Sequence, residues 1–185
     1  MTTIDESSGT TAEVPAQGQT PVIEIADVWK LHKLGDEVVK ALMAAELTVM
    51  PGEFVCLMGP SGSGKSTLLN IIGGLDRPTK GSVMIAGKAT AGWTASQYDP
   101  LRHDTIGFIF QSFNLIPRTS AVENVELPLI YMGVGKRERR ERAIQALRSV
   151  GLGERAGHTP NELSGGQQQR VAIARALVTQ PTLLV

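Results

Sequence analysis

This sequence of 185 residues has few cysteine and aromatic residues and no excess of either charge. The single cysteine, Cys56, excludes an intramolecular disulfide and fits a reduced, cytosolic setting, and its apolar neighbours predict that it lies in the core. Because 18 Lys and Arg balance 18 Asp and Glu, no overall basic field indicates nucleic acid or an anionic membrane as a partner. No apolar run reaches the roughly 20 residues that a transmembrane helix needs. This length and composition predict one globular domain.

Large apolar side chains are also nearly absent from residues 1–21, which are rich in Thr, Ser, Gly and Pro. The segment has neither the basic region nor the apolar region of a signal peptide. Because so few apolar residues cannot bury a core, we predict a disordered tail over 1–21 and a folded domain over 22–185.

From Val22 onwards, patterns typical of strands alternate with patterns typical of helices. VIEIADV (22–28) alternates apolar and polar residues like a half-buried strand, and EFVCLM (53–58) and TIGFIF (105–110) are apolar enough for strands buried on both faces. KRERRERAIQALRSV predicts a helix with Ala143, Ile144, Leu147 and Val150 on one side. A second helix follows over QQQRVAIARALV, and TLLV begins a further strand. The alternation predicts an α/β domain.

A glycine-rich loop, GPSGSGKS (59–66), lies between a predicted buried strand and a predicted helix and matches the pattern G-x-x-x-x-G-K-[ST]. Its glycines let backbone N–H groups turn towards one anion, to which the helix N-terminus adds its positive dipole end. Lys65 supplies a charge for the β- and γ-phosphates, and the Ser66 hydroxyl completes a Mg²⁺ shell. The predicted ligands are ATP and Mg²⁺. The predicted ATP-binding residues of this loop are Gly59, Ser61, Gly62, Ser63, Gly64, Lys65, Ser66 and Thr67.

A second motif, LSGGQ, comprises Leu163, Ser164, Gly165, Gly166 and Gln167. Ser164 and Gln167 have the spacing of a capping box, so one interpretation is a helix cap and nothing more. Two consecutive glycines at a helix start, however, are explained if a phosphate must approach the backbone closely.

Together, GPSGSGKST and NELSGGQQQRVAIARAL resemble the nucleotide-binding subunit of an ABC transporter. The resemblance implies an ABC-type P-loop NTPase fold with an inserted helical subdomain at about 112–162. It also implies a head-to-tail homodimer, in which Ser164, Gly166 and Gln167 contact the γ-phosphate held by Lys65 of a second copy.

Two further residues are assigned by this resemblance. Gln111, just past the TIGFIF strand, resembles the family's Q-loop glutamine, which contacts Mg²⁺ or the attacking water; the alternative is a surface glutamine. The implied catalytic residues are therefore Lys65 and Gln111, and the implied metal ligands are Ser66 and Gln111. His32 corresponds to the position where the family usually has an aromatic residue, often Tyr, that stacks on adenine; the alternative is a partly exposed loop residue.

The segments LNIIGGLDRPTKG, IGFIFQSFNLIP and ENVELPLIYMGV are similar to the subfamily of macrolide-export, lipoprotein-releasing and cell-division ATPases. This similarity implies a membrane permease as partner, docked near Gln111 and the helical subdomain. It places the chain in the cytoplasm, peripheral on the inner face of the membrane, and favours export or extraction of a lipid-anchored substrate.

In the family, LSGGQ is the signature motif, and the strand after the helix that it begins ends in Asp-Glu, with a histidine further on. This sequence contains neither after TLLV. We therefore expect an amino-terminal fragment, C-terminally incomplete, that binds ATP, hydrolyses it at a rate near background and is poorly soluble on its own.

The sequence has three alternative interpretations. A non-transport relative in DNA repair or translation would carry a coiled coil or metal-binding insert between Ser66 and Leu163, where the sequence has neither heptads nor a cysteine cluster. KRERRER contains two glutamates and favours a solvated helix face over a nucleic-acid contact. A small-molecule kinase would not need LSGGQ. A non-hydrolysing ATP-binding regulator remains open.

Overall fold

The computed structural model of the chain describes residues 20–35 and 37–185. The tail predicted over 1–21 therefore lies almost entirely outside the described residues. The described part is a mixed α/β structure with two hydrophobic cores.

An antiparallel sheet forms the first half of the structure. Its strands are β1 (Ile23–Leu34), β2 (Glu37–Val49), β3 (Lys80–Ile85) and β4 (Lys88–Ala89), in the order β2-β1-β3-β4. β1 pairs with both neighbours, so Ile23 lies opposite Val49 on one side and Ile85 on the other. The predicted half-buried strand is confirmed over its first residues, because Ile23 and Ile25 are buried while Glu24 is exposed. The alternation does not continue to Val28, because the pairing with β2 shifts register between Ile25 and Val28, and Val28 is buried although it lies three residues after Ile25.

A second group of elements packs beside this sheet. It contains α1 (Lys65–Ile72), a 3₁₀ turn (Ala95–Tyr98), α2 (Asp99–Asp104) and the parallel pair β5 (Ile106–Gly107) and β6 (Leu183–Leu184). Ile71, Leu101 and Ile106 share one core with the antiparallel sheet. The sequence did not predict α2, because DPLRHD is too short and too polar to show an apolar period.

Three helices form the second core. They are α3 (Ala121–Tyr131), α4 (Lys136–Ser149) and α5 (Gly165–Leu177), and two 3₁₀ turns (Gly153–Arg155 and Pro160–Glu162) lie between α4 and α5. The predicted inner side of α4 is confirmed, since Ala143 and Leu147 are buried and Ile144 and Val150 are half-buried against the same core. The range 112–162 for a helical subdomain stays a prediction.

The prediction of a buried strand over 53–58 is wrong. In the described part of the chain, none of its residues joins a strand ladder. Phe54 is 96% exposed and Met58 87% exposed, and Cys56 is exposed rather than in the core. The physical reason is that a strand is buried only by neighbours on both sides, and β6 faces this segment across a groove of about 540 Å³ instead of pairing with it.

TIGFIF is a strand only in part. Ile106 and Gly107 pair with β6, and two backbone hydrogen bonds extend this pairing to Val185. Ile109 N–H donates to the Val185 carbonyl oxygen, and Val185 N–H donates to the Gly107 carbonyl oxygen. β5 also packs closely on α5, because a Cβ atom at Gly107 would lie 2.6 Å from the carbonyl oxygen of Ala176. A side chain cannot be accommodated there, so this glycine fixes the distance between strand and helix.

Candidate functional site

The loop 59–66 curls around the ammonium group of Lys65. Lys65 Nζ donates hydrogen bonds to the carbonyl oxygens of Gly59 at 2.9 Å and Pro60 at 2.8 Å, and a longer one to Ser63 Oγ at 3.3 Å. The loop therefore holds a positive charge at its centre, where the predicted β- and γ-phosphates would lie.

Glycine is required at two positions of this loop for different reasons. Gly62 and Gly64 have φ of 82° and 90°, a left-handed conformation that other residues rarely adopt. At Gly64, which caps α1, a Cβ atom would also lie 2.5 Å from the carbonyl oxygen of Ala41 on β2. The loop conformation thus depends on glycine and on contact with the antiparallel sheet.

The first turn of α1 fits a phosphate group with its Mg²⁺ ion. It contains Lys65, the exposed Ser66 and the half-buried Thr67, and no acidic residue. The first N–H groups of a helix have no partner within the helix and carry the positive end of its dipole. Ser61 and Ser63 are exposed on the same loop. An anion is therefore favoured here, and Ser66 presents a hydroxyl oxygen of the kind that Mg²⁺ accepts.

The capping box predicted at the start of α5 is confirmed. Ser164 N–H donates to Gln167 Oε1 at 2.8 Å, and Gln167 N–H donates to Ser164 Oγ at 3.4 Å. Leu163 is buried beneath it. Neither Gly165 nor Gly166 has a positive φ, and a Cβ atom at either would meet nothing within 4 Å. The packing of this chain therefore gives no reason for glycine at these two positions.

Gln111 lies exposed on a turn that follows β5 by four residues. A residue that no sequence motif marks holds the next part of this loop. Arg175 on α5 donates from Nη2 to the carbonyl oxygen of Phe113 at 2.8 Å and from Nη1 to that of Asn114 at 2.6 Å. Burial lowers the pKa of the Arg175 guanidinium from its ordinary value. The sequence signals no more than an arginine within the helix predicted over QQQRVAIARALV.

His32 is exposed on β1, opposite Val39. Two effects act on the pKa of the nearby Asp76 carboxyl. Partial burial raises this pKa, whereas hydrogen bonds from Lys30 Nζ and the Arg77 N–H, together with the charges of Lys30 and His32, lower it. The net result is an Asp76 pKa below its ordinary value. An exposed ring beside an ionised carboxylate is free to stack on a base, so the adenine contact stays a prediction for His32.

Hydrogen bonds among the described residues connect only some of the three predicted segments. No hydrogen bond joins the phosphate loop (59–67) to the signature motif (163–167) within residues 37–185. Only the loop after Gln111 is tied to α5, through Arg175. Within one copy of the chain, the phosphate loop and the signature motif are therefore not hydrogen-bonded to each other.

A glycine-dependent loop centred on a lysine, opening a helix and placed in a mixed α/β domain, defines a P-loop nucleotide-binding domain. The family model for the ABC transporter matches residues 42–185. The chain therefore belongs to the ABC transporter ATP-binding family, and its fold is the ABC-type P-loop NTPase fold. The residues of the site are still assigned by geometry and motif alone.

Some similar proteins are described as ATP-binding proteins, and others as ATP-binding/permease proteins in one chain. The chain is 54% identical to an uncharacterized ABC transporter ATP-binding protein of Thermotoga maritima, over 89% of this chain and 70% of that protein. It is 53% identical to the macrolide export ATP-binding/permease protein MacB of Syntrophobacter fumaroxidans, over 88% of this chain but 23% of that protein. MacB is thus far longer than the region that it shares with this chain.

A solved structure gives the same fold. The dimeric post-hydrolysis state of the ATP-binding cassette MJ0796 of Methanocaldococcus jannaschii, bound to ADP and Pi, matches with a TM-score of 0.82 and 50% identity, covering 88% of this chain and 72% of that one. In the part of the chain that the structure describes, we find no helix with the length and apolar character of a membrane span.

Proposed function

We propose that the chain binds ATP with Mg²⁺ and that, within a complete subunit, it hydrolyses ATP in a head-to-tail homodimer to power a membrane permease. The observation that carries this proposal is the hydrogen bonding of Lys65 Nζ to the carbonyl oxygens of Gly59 and Pro60 at the start of α1. ATP would exchange these carbonyl contacts for contacts with phosphate oxygens.

Each site residue has a proposed role. Lys65 binds the β- and γ-phosphates, the N–H groups of the loop surround them, and Ser66 and Gln111 face the Mg²⁺ ion. The ion, when bound, neutralises charge that develops on the phosphate oxygens. His32 stacks on the adenine ring.

The proposed dimer explains the two glycines of the signature motif. Open space around Gly165 and Gly166 leaves the first turn of α5 accessible to a phosphate held by a second copy. MJ0796, half of whose residues are identical in the matched region, forms a dimer. Ser164, Gly166 and Gln167 of one copy would then contact the γ-phosphate held by Lys65 of the other.

The permease is proposed from the relatives. MacB of Syntrophobacter fumaroxidans is described as an ATP-binding/permease protein for macrolide export, which indicates export or extraction from the membrane as the process that this chain powers. We place the docking surface near Gln111 and helices α3 and α4. This arrangement places the chain in the cytoplasm, on the inner face of the membrane.

The phosphate loop is tested by titrating the chain with ATP and Mg²⁺ in a calorimeter. Replacing the charge at the centre of the loop, in Lys65→Met, should weaken ATP binding about ten- to hundredfold, because charge-assisted hydrogen bonds to phosphate are lost. Lys88→Met removes an exposed lysine on β4 and serves as the matched control. Equal affinities for the two variants would refute ATP binding at this loop.

A further inference from the structure

The loop that follows Gln111 has an unfavourable backbone conformation. Phe113, Asn114 and Arg118 all have positive φ, at 59°, 47° and 67°. For Phe113 and Arg118 this left-handed region costs about 1 kcal/mol or more each, whereas asparagine adopts it more readily. Such a conformation persists only if contacts from outside the loop hold it in place.

Arg175 provides one of these contacts from a distant part of the chain. Its two Nη atoms donate to the consecutive carbonyl oxygens of Phe113 and Asn114, which lie 62 and 61 residues before it. A guanidinium group is planar and presents its N–H groups in a fixed fork. One side chain therefore fixes the positions of two neighbouring peptide groups, and these begin two residues after Gln111.

Asn124 on α3 holds the other half of the loop. Its Oδ1 accepts a hydrogen bond from Ile116 N–H at 2.7 Å, and its Nδ2 donates to Thr119 Oγ1 at 2.7 Å and to the Ser120 carbonyl oxygen at 3.0 Å. The Asn124 side chain is fully buried. Arg175 and Asn124 thus hold separate parts of one loop. Among residues 20–35 and 37–185, Arg175 is the residue outside this loop whose side chain is hydrogen-bonded to Phe113 and Asn114.

Arg175 lies on the same helix as the signature motif. α5 has 13 residues and begins at the cap formed by Ser164, so about 16 Å of continuous helix connects that cap to Arg175. Val171 and Ala174 are buried in the helical core, which holds this helix firmly along its length. A displacement at its N-terminus is therefore transmitted to the guanidinium group.

We propose that Arg175 is a positioning residue that sets the location of Gln111 relative to the signature motif. Movement of α5, when the signature motif of one copy engages the nucleotide of another, then shifts the loop that begins at Gln111. This inference rests on the proposed function, because it gives Gln111 a role towards the nucleotide and its Mg²⁺ ion.

Hydrogen exchange of single amides tests the structural part. In Arg175→Leu, the amides of Phe113 and Asn114 should exchange about tenfold faster, because the carbonyl anchors are lost. The Ile116 amide, held by Asn124, should be unchanged and serves as the internal reference. Arg170→Leu, which removes an exposed arginine from the same helix, is the matched control.

A conservative variant keeps the test decisive if Arg175→Leu fails to fold. Lysine retains the charge but cannot donate two hydrogen bonds in a fixed fork, so Arg175→Lys should accelerate exchange at Phe113 and Asn114 by a smaller factor. Unchanged exchange at both amides in Arg175→Lys and in any folded Arg175→Leu would overturn the proposal.

The functional part is read from the ratio of ATP dissociation constants measured without and with Mg²⁺. The ratio should fall about tenfold in Gln111→Ala and in Arg175→Leu, with less change in Arg175→Lys and none in Arg170→Leu. A fall in Gln111→Ala alone would overturn the role of Arg175 and leave the proposed function intact. No fall in either variant would overturn the role of Gln111 and this inference, whereas ATP binding itself is judged by Lys65→Met.

Discussion

At the scale of single residues, four glycines of this chain form two contrasting pairs. Gly64 and Gly107 are glycines because a Cβ atom would collide with the carbonyl oxygens of Ala41 and Ala176. Gly165 and Gly166 meet no such obstacle and have no positive φ. Glycine in a helix destabilises it relative to alanine, so the fold gives no reason for these two glycines, whereas the proposed approach of a ligand to the backbone would give one.

Gly166→Ala separates these two explanations. The variant should unfold at the same urea concentration as the natural chain or a higher one, because alanine favours the helix by up to about 1 kcal/mol. The dimer that forms with ATP and Mg²⁺ should nevertheless have a dissociation constant roughly tenfold higher, since the methyl group obstructs the phosphate of the second copy. Sedimentation velocity measures this dimerisation as an increase in mass at increasing protein concentration. Gly157→Ala, another position with open space, is the control. Unimpaired ATP-dependent dimerisation of Gly166→Ala would contradict the proposed dimer.

At the scale of the elements, one carboxylate joins helices α3 and α4. Glu126 on α3, whose side chain is 10% exposed, accepts hydrogen bonds from Arg139 Nε and from Arg140 Nη1 on α4, each at 3.2 Å. The other pairs of α4, Arg137–Glu141 and Arg142–Glu138, lie along its own surface at i,i+4 spacing. The basic segment is therefore partly a solvated helix face, as predicted, and partly an ionic contact between helices.

Replacing this carboxylate tests its contribution to the helix pair. Glu126→Gln should lower the free energy of unfolding by about 1–3 kcal/mol, because two arginines lose an ionised acceptor that is largely shielded from water. Glu141→Gln removes a carboxylate of the same kind from an exposed pair and should change stability by no more than about 0.5 kcal/mol. Urea unfolding followed by circular dichroism measures both. Equal effects of the two substitutions would show that burial of Glu126 does not strengthen its ion pairs.

Local sequence determined which elements and motifs could be predicted. The capping box of Ser164 and Gln167 spans four residues, so its geometry follows from the motif itself. The apolar segment 53–58 was misassigned because burial of a strand depends on distant neighbours, which its own sequence does not describe. Arg175 could not be assigned for the same reason, since its two acceptors lie 61 and 62 residues away.

At the scale of the whole molecule, α5 connects the two cores. Its buried face belongs to the helical core through Val171 and Ala174, and its C-terminal part packs on β5 at Gly107. Because closely packed interiors transmit displacements, this helix is the element through which the signature motif and the loop after Gln111 affect each other. The phosphate loop contacts the antiparallel sheet at Ala41 and is not part of this connection.

The exposed apolar segment 53–58 predicts how the chain behaves in solution. Phe54 and Met58 are almost fully exposed, and the segment joins no strand ladder within the described residues, so its backbone and its apolar side chains are both available to other chains. We expect self-association that increases with protein concentration and does not depend on nucleotide, measured by sedimentation velocity with and without ATP and Mg²⁺. The double substitution Phe54→Lys with Val55→Lys should abolish it, whereas Met43→Lys, which adds a charge at an exposed position of β2, should not. A monodisperse monomer at every concentration without nucleotide would mean that this segment does not attract other chains.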